Sequence, residues 1–353
     1  MTPTSPAASS DSHQAHWKLK IDKLTLLLDL PDQWKDGHFT SCFAIVKDPS
    51  CQSQCGISQS YTSGGGYKLS IEGKVPLNAS PLIWSPKAAY LLQIGPKKDK
   101  HPDLRLDINP GALTPSGMQH LREVLDTICG VPWPCWAFAR VSRIDVAVDL
   151  PGVALTDWVW DLPRRKSREI FCRGSELRTM YLGAKKADPL VVYNKAKQDP
   201  VAANGNALTR VEYRLKNVGL VSSLSSLPNP LADVDVFDPR KLPVTPPHKI
   251  ALMALGHLGG WKGILRSFPS SAWLTYDKAF ASICADWWDS AAIWEEWTQT
   301  LKPVVPSAYT PSGALDGAAL AYDQAMNVQA ATLAAGSSGA ALADLGDGPA
   351  VTT

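Results

Sequence analysis

The strongest constraint on the fold is the alternation of polar and apolar residues in FARVSRIDVAVDL, residues 138–150. Alternate side chains of a β-strand lie on the same face of a sheet. Arg143, Asp145 and Asp149 therefore share one face, and the aliphatic residues between them face a core. Two carboxylates on one strand are costly to bury unless each has a partner. The alternation thus predicts a strand that holds a polar site within a sheet.

Two other predicted strands repeat this pattern of a carboxylate flanked by arginine. They are LRLDIN at 104–109, which contains Asp107, and RVEYRL at 210–215, which contains Glu212. Three such strands side by side would form a mixed acidic and basic surface that can hold a metal against a phosphate. Carboxylate oxygens favour Mg²⁺ or Mn²⁺. The predicted metal ligands are Asp145, Asp149, Glu212 and Asp107. A solvated strand face with internal Arg–Asp pairs is the alternative.

A predicted β-hairpin supplies a candidate nucleophile. Its strands are residues 178–183 and 189–195, and Tyr193 shares a face with Lys195 on the second strand. A tyrosine beside a metal and a lysine ionises more readily and can attack phosphorus. Tyr193 and Lys195 are therefore the predicted catalytic residues, and Tyr181 on the partner strand is the alternative nucleophile.

Local charge favours a polyanionic partner, although the net charge of the whole chain is only +2. Residues 140–216 contain 15 lysines and arginines against 9 aspartates and glutamates. These basic residues surround the candidate site, which is typical of proteins that bind a phosphate backbone. The predicted DNA-binding residues are Arg143, Arg210, Arg214, Lys185 and Lys186.

Several other classes of protein are excluded by missing motifs. The sequence has no P-loop, no dinucleotide fingerprint and no paired-histidine metal motif. It has no secretory signal, and no apolar stretch approaches the roughly 20 residues of a membrane-spanning helix. The seven cysteines are too scattered for a disulfide framework and predict reduced thiols in a cytoplasm. A structural metal at Cys51 and Cys55 is a minor alternative.

Local signals predict further elements around the strands. Thr114 can cap a helix over residues 115–129, and residues 155–162 predict a short helix. Residues 49–66 are rich in serine, glutamine and glycine and predict a long loop. Spacing of three and four residues predicts a helix from 245 onward, which the pair at 259–260 can break.

Four of these motifs, in this order, resemble the replication initiation factor family, the Rep_trans-type rolling-circle initiators of plasmids and filamentous phages. The motifs are RIDVAVD at 143–149, MYLG at 180–183, VYNK at 192–195 and RVEYRLK at 210–216. Residues 104–114 are similar to a further segment upstream in that family. The resemblance covers residues 85–220, whereas the cysteine-containing loop 42–55 and the alanine-rich tail have no counterpart.

This resemblance implies a metal-dependent enzyme that nicks and joins DNA. Tyr193 corresponds to the tyrosine that attacks the double-strand origin, becomes linked to the 5′ phosphate and frees a 3′-OH primer. Asp145 and Asp149 correspond to acidic residues of the family, and Glu212 and Asp107 match further acidic positions without an assigned role. The family lacks the paired-histidine motif, in agreement with this sequence.

The resemblance also implies partners and a location. The partners are origin DNA, as duplex and as displaced single strand, with a host helicase and a DNA polymerase; a homodimer is left open, and no membrane is involved. The location is the cytoplasm of a bacterial host. The alternative functions are a non-catalytic DNA-binding regulator of a phage or plasmid replicon and a hydrolytic metal nuclease that forms no covalent adduct.

The predicted fold class is α+β, with a catalytic domain on an antiparallel sheet flanked by helices, then a smaller helical module and a disordered tail. The predicted segments are a disordered leader 1–16, a nicking and joining domain 17–220, a linker 221–244, a helical module 245–302 and a low-complexity tail 303–353. We hypothesise that the helical module recognises the origin, because helices are the commonest readers of base edges. The tail lacks lysine and arginine beyond residue 310.

Overall fold

The fold is mixed α+β around a large antiparallel sheet, as predicted. A computed structural model of the chain describes residues 17–30, 35–60, 66–76, 84–85, 87–131, 133–165, 167–174, 176–184, 188–242, 245–273 and 281–305. The predicted leader, most of the predicted tail, and Lys185 and Lys186 lie outside these residues. Within the described ranges, no helix is long and apolar enough to cross a membrane.

Twelve strands are formed by the described residues. They are β1 (Lys18–Leu28), β2 (Ile57–Gln59), β3 (Tyr67–Gly73), β4 (Tyr90–Pro96), β5 (Leu104–Ile108), β6 (Arg140–Pro151), β7 (Val159–Asp161), β8 (Arg168–Arg173), β9 (Glu176–Leu182), β10 (Leu190–Asn194), β11 (Leu208–Leu220) and β12 (Asp235–Phe237). Ten of them form one sheet in the order β2-β3-β4-β5-β1-β6-β11-β10-β9-β8, and β12 pairs with β7. The order differs from the chain order, so strands distant in sequence become neighbours.

The helices lie between and after these strands. Those whose two ends fall within the described residues are α1 (Lys35–Lys47), α2 (Pro49–Cys55), α3 (Pro115–Cys129), α4 (Pro200–Ala203), α5 (Pro246–Leu265), α6 (Ser290–Glu295) and α7 (Trp297–Leu301). Helix α3 confirms its prediction at both ends. The Thr114 hydroxyl accepts a hydrogen bond from the Gly117 amide at 3.1 Å, and Gly130 ends the helix in the left-handed conformation.

Two predictions of local structure were wrong. Residues 49–55 form α2 and residues 57–59 form β2 where a long loop was expected. The side chain of Asp48 caps α2 by accepting from the Ser50 amide at 2.9 Å, and Gly56 ends it. Because this helix consists mainly of serine, glutamine and cysteine, it has no apolar periodicity from which a helix could be predicted. Only its capping residues indicate a helix. The expected short helix at 155–162 is a single 3-10 turn followed by β7.

Strand β12 and helix α5, which follow β11 in the chain, pack with β7. Strand β12 lies within the predicted linker, and its Val236 and Phe237 are buried. Helix α5 is kinked at Gly260, which has a φ of 62°, so the predicted break at 259–260 is confirmed. The Asp161 carboxylate lies against this kink and accepts from the Trp261 amide at 2.8 Å. A side chain at position 260 would collide with that carboxylate.

The contacts within the chain divide it into two compact units. The first unit contains the described residues up to Asp22, with Ile144–Lys216 and Ser226–Thr300. The second contains Lys23–Arg143 and Asn217–Ser225, with the described residues from Leu301 onward. Each unit combines segments distant in sequence, whereas the predicted domains are consecutive in the chain. The boundaries of the predicted domains stay predictions.

Candidate active site

Strand pairing in the first unit brings the predicted nucleophile and two predicted site residues to one face of the sheet. Tyr193 on β10 lies opposite Arg210 on β11, and Val191 lies opposite Glu212. Because residues paired across antiparallel strands point to the same side, the side chains of Tyr193, Arg210 and Glu212 share one face. The hairpin of β9 and β10, predicted from the sequence, is confirmed.

A hydrogen-bonded chain joins Tyr193 to Arg214. The Tyr193 hydroxyl donates to Glu212 Oε2 at 3.2 Å, and Arg214 Nε donates to Glu212 Oε1 at 2.6 Å. Tyr193 is 6% exposed and Glu212 is 3% exposed. Arg214 is the most exposed of the three side chains, at 29%. A phenol in contact with a carboxylate that a third group orients is the arrangement of an activated nucleophile.

A second cluster of charges holds the guanidinium of Arg210. Its Nε and Nη2 atoms donate to the two Asp149 oxygens at 2.6 and 3.0 Å, and Nη1 donates to Asp22 Oδ1 at 2.6 Å. Lys20 Nζ also donates to Asp149. The guanidinium carbon lies 6.0 Å from the centre of the Tyr193 ring. Arg210 is thus fixed by two carboxylates beside the phenol.

Burial and neighbouring charges shift the pKa values of these groups. Burial raises the pKa of Tyr193, and the Glu212 carboxylate raises it further, so the phenol is neutral at neutral pH. Burial alone would raise the pKa of Asp149, but hydrogen bonds from Arg210 and Lys20 hold it below its usual value. Burial lowers the pKa of Lys20, and the nearby Arg210 cation adds to this effect.

The remaining predicted site residues have other surroundings. Asp145 on β6 is 2% exposed and interacts electrostatically with Arg214. Lys195 begins a 3-10 turn directly after β10 and is half-buried. Asp107 belongs to the second unit, where Arg105 donates to both of its oxygens at 3.2 and 3.0 Å. Arg143 is half-buried and is also assigned to the second unit.

The predicted carboxylates do not fit a divalent-cation site as they are arranged. Both oxygens of Asp149 accept from Arg210, both oxygens of Glu212 are used by Tyr193 and Arg214, and both oxygens of Asp107 accept from Arg105. In the part of the chain that the structure describes, no three His, Cys, Asp or Glu side chains are grouped to hold a metal. That finding applies equally to Cys51 and Cys55, whose sulfurs lie 3.8 Å apart. The metal requirement therefore stays a prediction, and no catalytic step is assigned to it.

Two site residues on β1 were missed by the sequence analysis. Lys20 and Asp22 alternate with apolar residues in KLKIDK, residues 18–23, which is the same period-two signal as on β6. Their role depends on the position of β1 beside β6 in the sheet, which strand patterning alone does not predict.

The opposite face of the hairpin borders a cavity of about 540 Å³. Asn194 and Thr209 are paired across β10 and β11 and line this cavity. Because they are adjacent in sequence to Tyr193 and Arg210, they point to the other side of the sheet. The cavity is therefore separate from the charged site.

Asp149→Asn is expected to destabilise the protein by roughly 3 kcal/mol at neutral pH, because the buried Arg210 and Lys20 cations lose a shared carboxylate. Since the pKa of Asp149 is lowered in the folded state, this stabilisation is lost as the pH falls below the unfolded value of about 3.9. The difference between the two proteins should therefore shrink in acid. Urea unfolding of both proteins, over roughly pH 3 to pH 7, measures this difference in the free energy of unfolding.

The control for this change is Asp157→Asn, since Asp157 is half exposed and its contact with Arg240 is 3.9 Å long. We expect a change of about 1 kcal/mol or less. Equal losses in the two variants would show that the cluster around Arg210 adds no stability.

The chain is distantly similar to a replication initiator of known structure. A solved structure of the rolling circle replication initiator protein from Geobacillus stearothermophilus is 15% identical in sequence, and the match covers 57% of this chain and 75% of that chain, with a TM-score of 0.30. No family model and no curated protein matches the chain. The similarity is distant and partial.

Proposed function

We propose that this chain is a DNA nicking and joining enzyme that starts rolling-circle replication, with Tyr193 as the nucleophile. The observation that carries the proposal is the hydrogen bond of 3.2 Å from the Tyr193 hydroxyl to Glu212, whose other oxygen is held by Arg214. The order of the four sequence motifs supports the same reaction. Each of the three side chains then has a role that its contacts allow.

In the proposed reaction, Glu212 accepts the phenolic proton as the Tyr193 oxygen attacks phosphorus. The bond from phosphorus to the 3′ oxygen breaks, and that oxygen leaves as a hydroxyl after taking a proton from water. The proton on Glu212 neutralises the resulting hydroxide, so no net proton is gained or lost. The products are a 5′-phosphotyrosine and a free 3′-OH, so one phosphodiester replaces another. The attack of the released 3′-OH on the phosphotyrosine reverses the step and joins DNA.

Two arginines on the same face are suited to the negative charge that builds up on the phosphoryl oxygens. Arg214 is partly exposed and can contact a phosphate while it orients Glu212. The charge of Arg210 is neutralised by Asp149 and Asp22. Its guanidinium packs beside the Tyr193 ring. We assign Arg214 to phosphate binding and Arg210 to positioning.

One observation favours the alternative of a non-catalytic DNA-binding regulator. Tyr193 and Glu212 are almost completely buried, so a phosphate reaches the phenol only if neighbouring side chains move. The decisive experiment incubates the full chain with labelled single-stranded oligonucleotides from the DNA that flanks its gene. A covalent protein–DNA band resistant to denaturation supports the transesterase. Cleavage without this band supports a hydrolytic nuclease, and the absence of cleavage supports the regulator.

The predicted partners and location remain part of this proposal. Extension of the 3′-OH requires a DNA polymerase, and a helicase must unwind the duplex ahead of it, both in the cytoplasm of the host. Residues 245–302 are proposed to recognise the origin, and the homodimer is left open. Helix α5 within this segment exposes Ile250 and Leu258 but buries Trp261.

The requirement for Mg²⁺ or Mn²⁺, which the acidic strands and the family resemblance predict, implies that removal of divalent cations abolishes the covalent adduct. The oxygens of Asp149 and Glu212 are already hydrogen-bonded, so their arrangement adds no support to this prediction. Adduct yield in excess EDTA, and after addition of Mg²⁺ or Mn²⁺, measures the requirement. Full activity in EDTA would overturn the cofactor prediction and leave charge stabilisation to the basic side chains.

A further inference from the structure

An exposed aromatic side chain lies on the edge strand of the sheet, on the same face as Tyr193. Phe171 on β8 is 44% exposed, although most phenylalanines are buried. Strand pairing places Phe171 opposite Thr179, and Thr179 opposite Tyr193. Since neighbouring strands lie about 4.8 Å apart, Phe171 is about 10 Å from Tyr193 across the sheet.

A second aromatic ring and an arginine connect Phe171 to the candidate active site. The Phe171 and Tyr181 rings meet edge to face, with their centres 5.6 Å apart. The Arg214 guanidinium lies 5.8 Å from the centre of the Tyr181 ring. Arg214 also holds Glu212, the partner of Tyr193. We call Phe171, Tyr181 and Arg214 the aromatic platform.

Arg214 supplies the positive charge of the aromatic platform, and its side chain is 29% exposed. Glu169 is paired with Tyr181 and lies on the same face, whereas Arg168 points to the other face and binds Asp161. Exposed aromatic faces bordered by basic residues bind unpaired bases by stacking, while the cations contact the phosphates. A base inside a duplex offers no face for such stacking, so the surface fits a single strand.

We propose that Phe171 stacks against an unpaired base of the single strand that Tyr193 attacks, with Tyr181 supporting the ring and Arg214 contacting the backbone. The distance of about 10 Å between Phe171 and Tyr193 places this base one or two nucleotides from the scissile phosphate. The identity of the DNA strand depends on the proposed function. The stacked base adds a subsite that positions this strand for attack by Tyr193.

Phe171→Ala is expected to weaken binding of a fluorescein-labelled single-stranded oligonucleotide about 5- to 150-fold, the loss of one stacked base. Phe171→Trp should keep wild-type affinity, because it restores an aromatic face. The slope of log affinity against log salt should stay unchanged in both variants, since stacking releases no counterions. Affinity for a blunt duplex of the same sequence should not change.

Val201→Ala is the matched control, because Val201 is 89% exposed and lies on α4, whose Pro200 and Ala203 line the separate cavity. Thermal melts of all variants test whether they fold. Unchanged single-strand affinity in Phe171→Ala overturns the proposal, as does absence of single-strand binding by the wild type. A Phe171→Ala variant that loses self-association but keeps DNA affinity also overturns it and makes β8 an edge that pairs with a second copy.

This test is separable from the proposed chemistry. If the wild type forms no covalent adduct but Phe171→Ala weakens single-strand binding, the result supports base stacking on Phe171 and contradicts the transesterase. If Phe171→Ala has the adduct yield and the single-strand affinity of the wild type, the result supports the transesterase and contradicts base stacking on Phe171.

Discussion

Replacement of Tyr193 by phenylalanine is expected to abolish the covalent protein–DNA adduct and to leave DNA binding within about twofold of the wild type, because only the attacking oxygen is lost. Phenylalanine keeps the ring that packs beside Arg210, so the strand and its neighbours should retain their positions. Denaturing electrophoresis of the labelled oligonucleotide measures the adduct, and fluorescence anisotropy measures binding. Both assays use the full chain.

Tyr181→Phe is the control for this variant, since Tyr181 is the other tyrosine of the hairpin on the same face. Its ring lies between Phe171 and Arg214, and the change should leave the adduct yield close to that of the wild type. An adduct that persists in Tyr193→Phe but disappears in Tyr181→Phe would move the nucleophile to Tyr181. An adduct in both variants would require a nucleophile outside the hairpin.

Glu212→Gln is expected to slow adduct formation about 10²- to 10⁴-fold at neutral pH, the usual contribution of a general base. Glutamine has nearly the same shape and can still accept a hydrogen bond from the phenol, but it cannot take up the proton. Because burial raises the pKa of Tyr193, the phenol itself supplies very little phenolate. Rapid-mixing measurements of the single-turnover rate would detect the loss.

The pH dependence of Glu212→Gln separates a base from a merely structural residue. Without a base, the rate depends on the small phenolate fraction, which grows about tenfold per pH unit below the pKa of the tyrosine. The variant should therefore recover activity toward high pH, and the ratio of wild-type to variant rates should fall. Glu176→Gln, on β9 and paired with Arg178, serves as control and should behave as wild type. A variant ratio that is constant with pH would contradict the assignment of Glu212 as base.

Much of the local structure could be predicted from short-range patterns. Strand β5 lies within the predicted strand 104–109, and α3 covers 115–129 between its predicted cap and Gly130. Such elements depend on side-chain periodicity and on capping groups within a few residues, which are visible in any single sequence. Helix α2 was missed because only its caps mark it, and β12 because a proline- and serine-rich passage hides a three-residue strand.

Which side chains share a face also followed from periodicity alone. Arg210 and Glu212 were expected on the polar face of one strand, and the structure places both beside Tyr193. Their individual contacts were not predictable. Asp149, which is predicted as a metal ligand, accepts hydrogen bonds from Arg210 and Lys20, and Glu212 binds the phenol and Arg214.

The order of strands in the sheet determines which other residues belong to the site. Sequence patterns do not predict this order, because strands that pair can lie far apart in the chain. The place of β1 between β5 and β6 brings Lys20 and Asp22 to Arg210, which lies 188 residues after Asp22. Asp107 shows the same alternation but belongs to the second unit, where Arg105 binds it. Alternation specifies the two faces of each strand, whereas the partner of a strand depends on which pairing buries the most apolar surface across the whole chain.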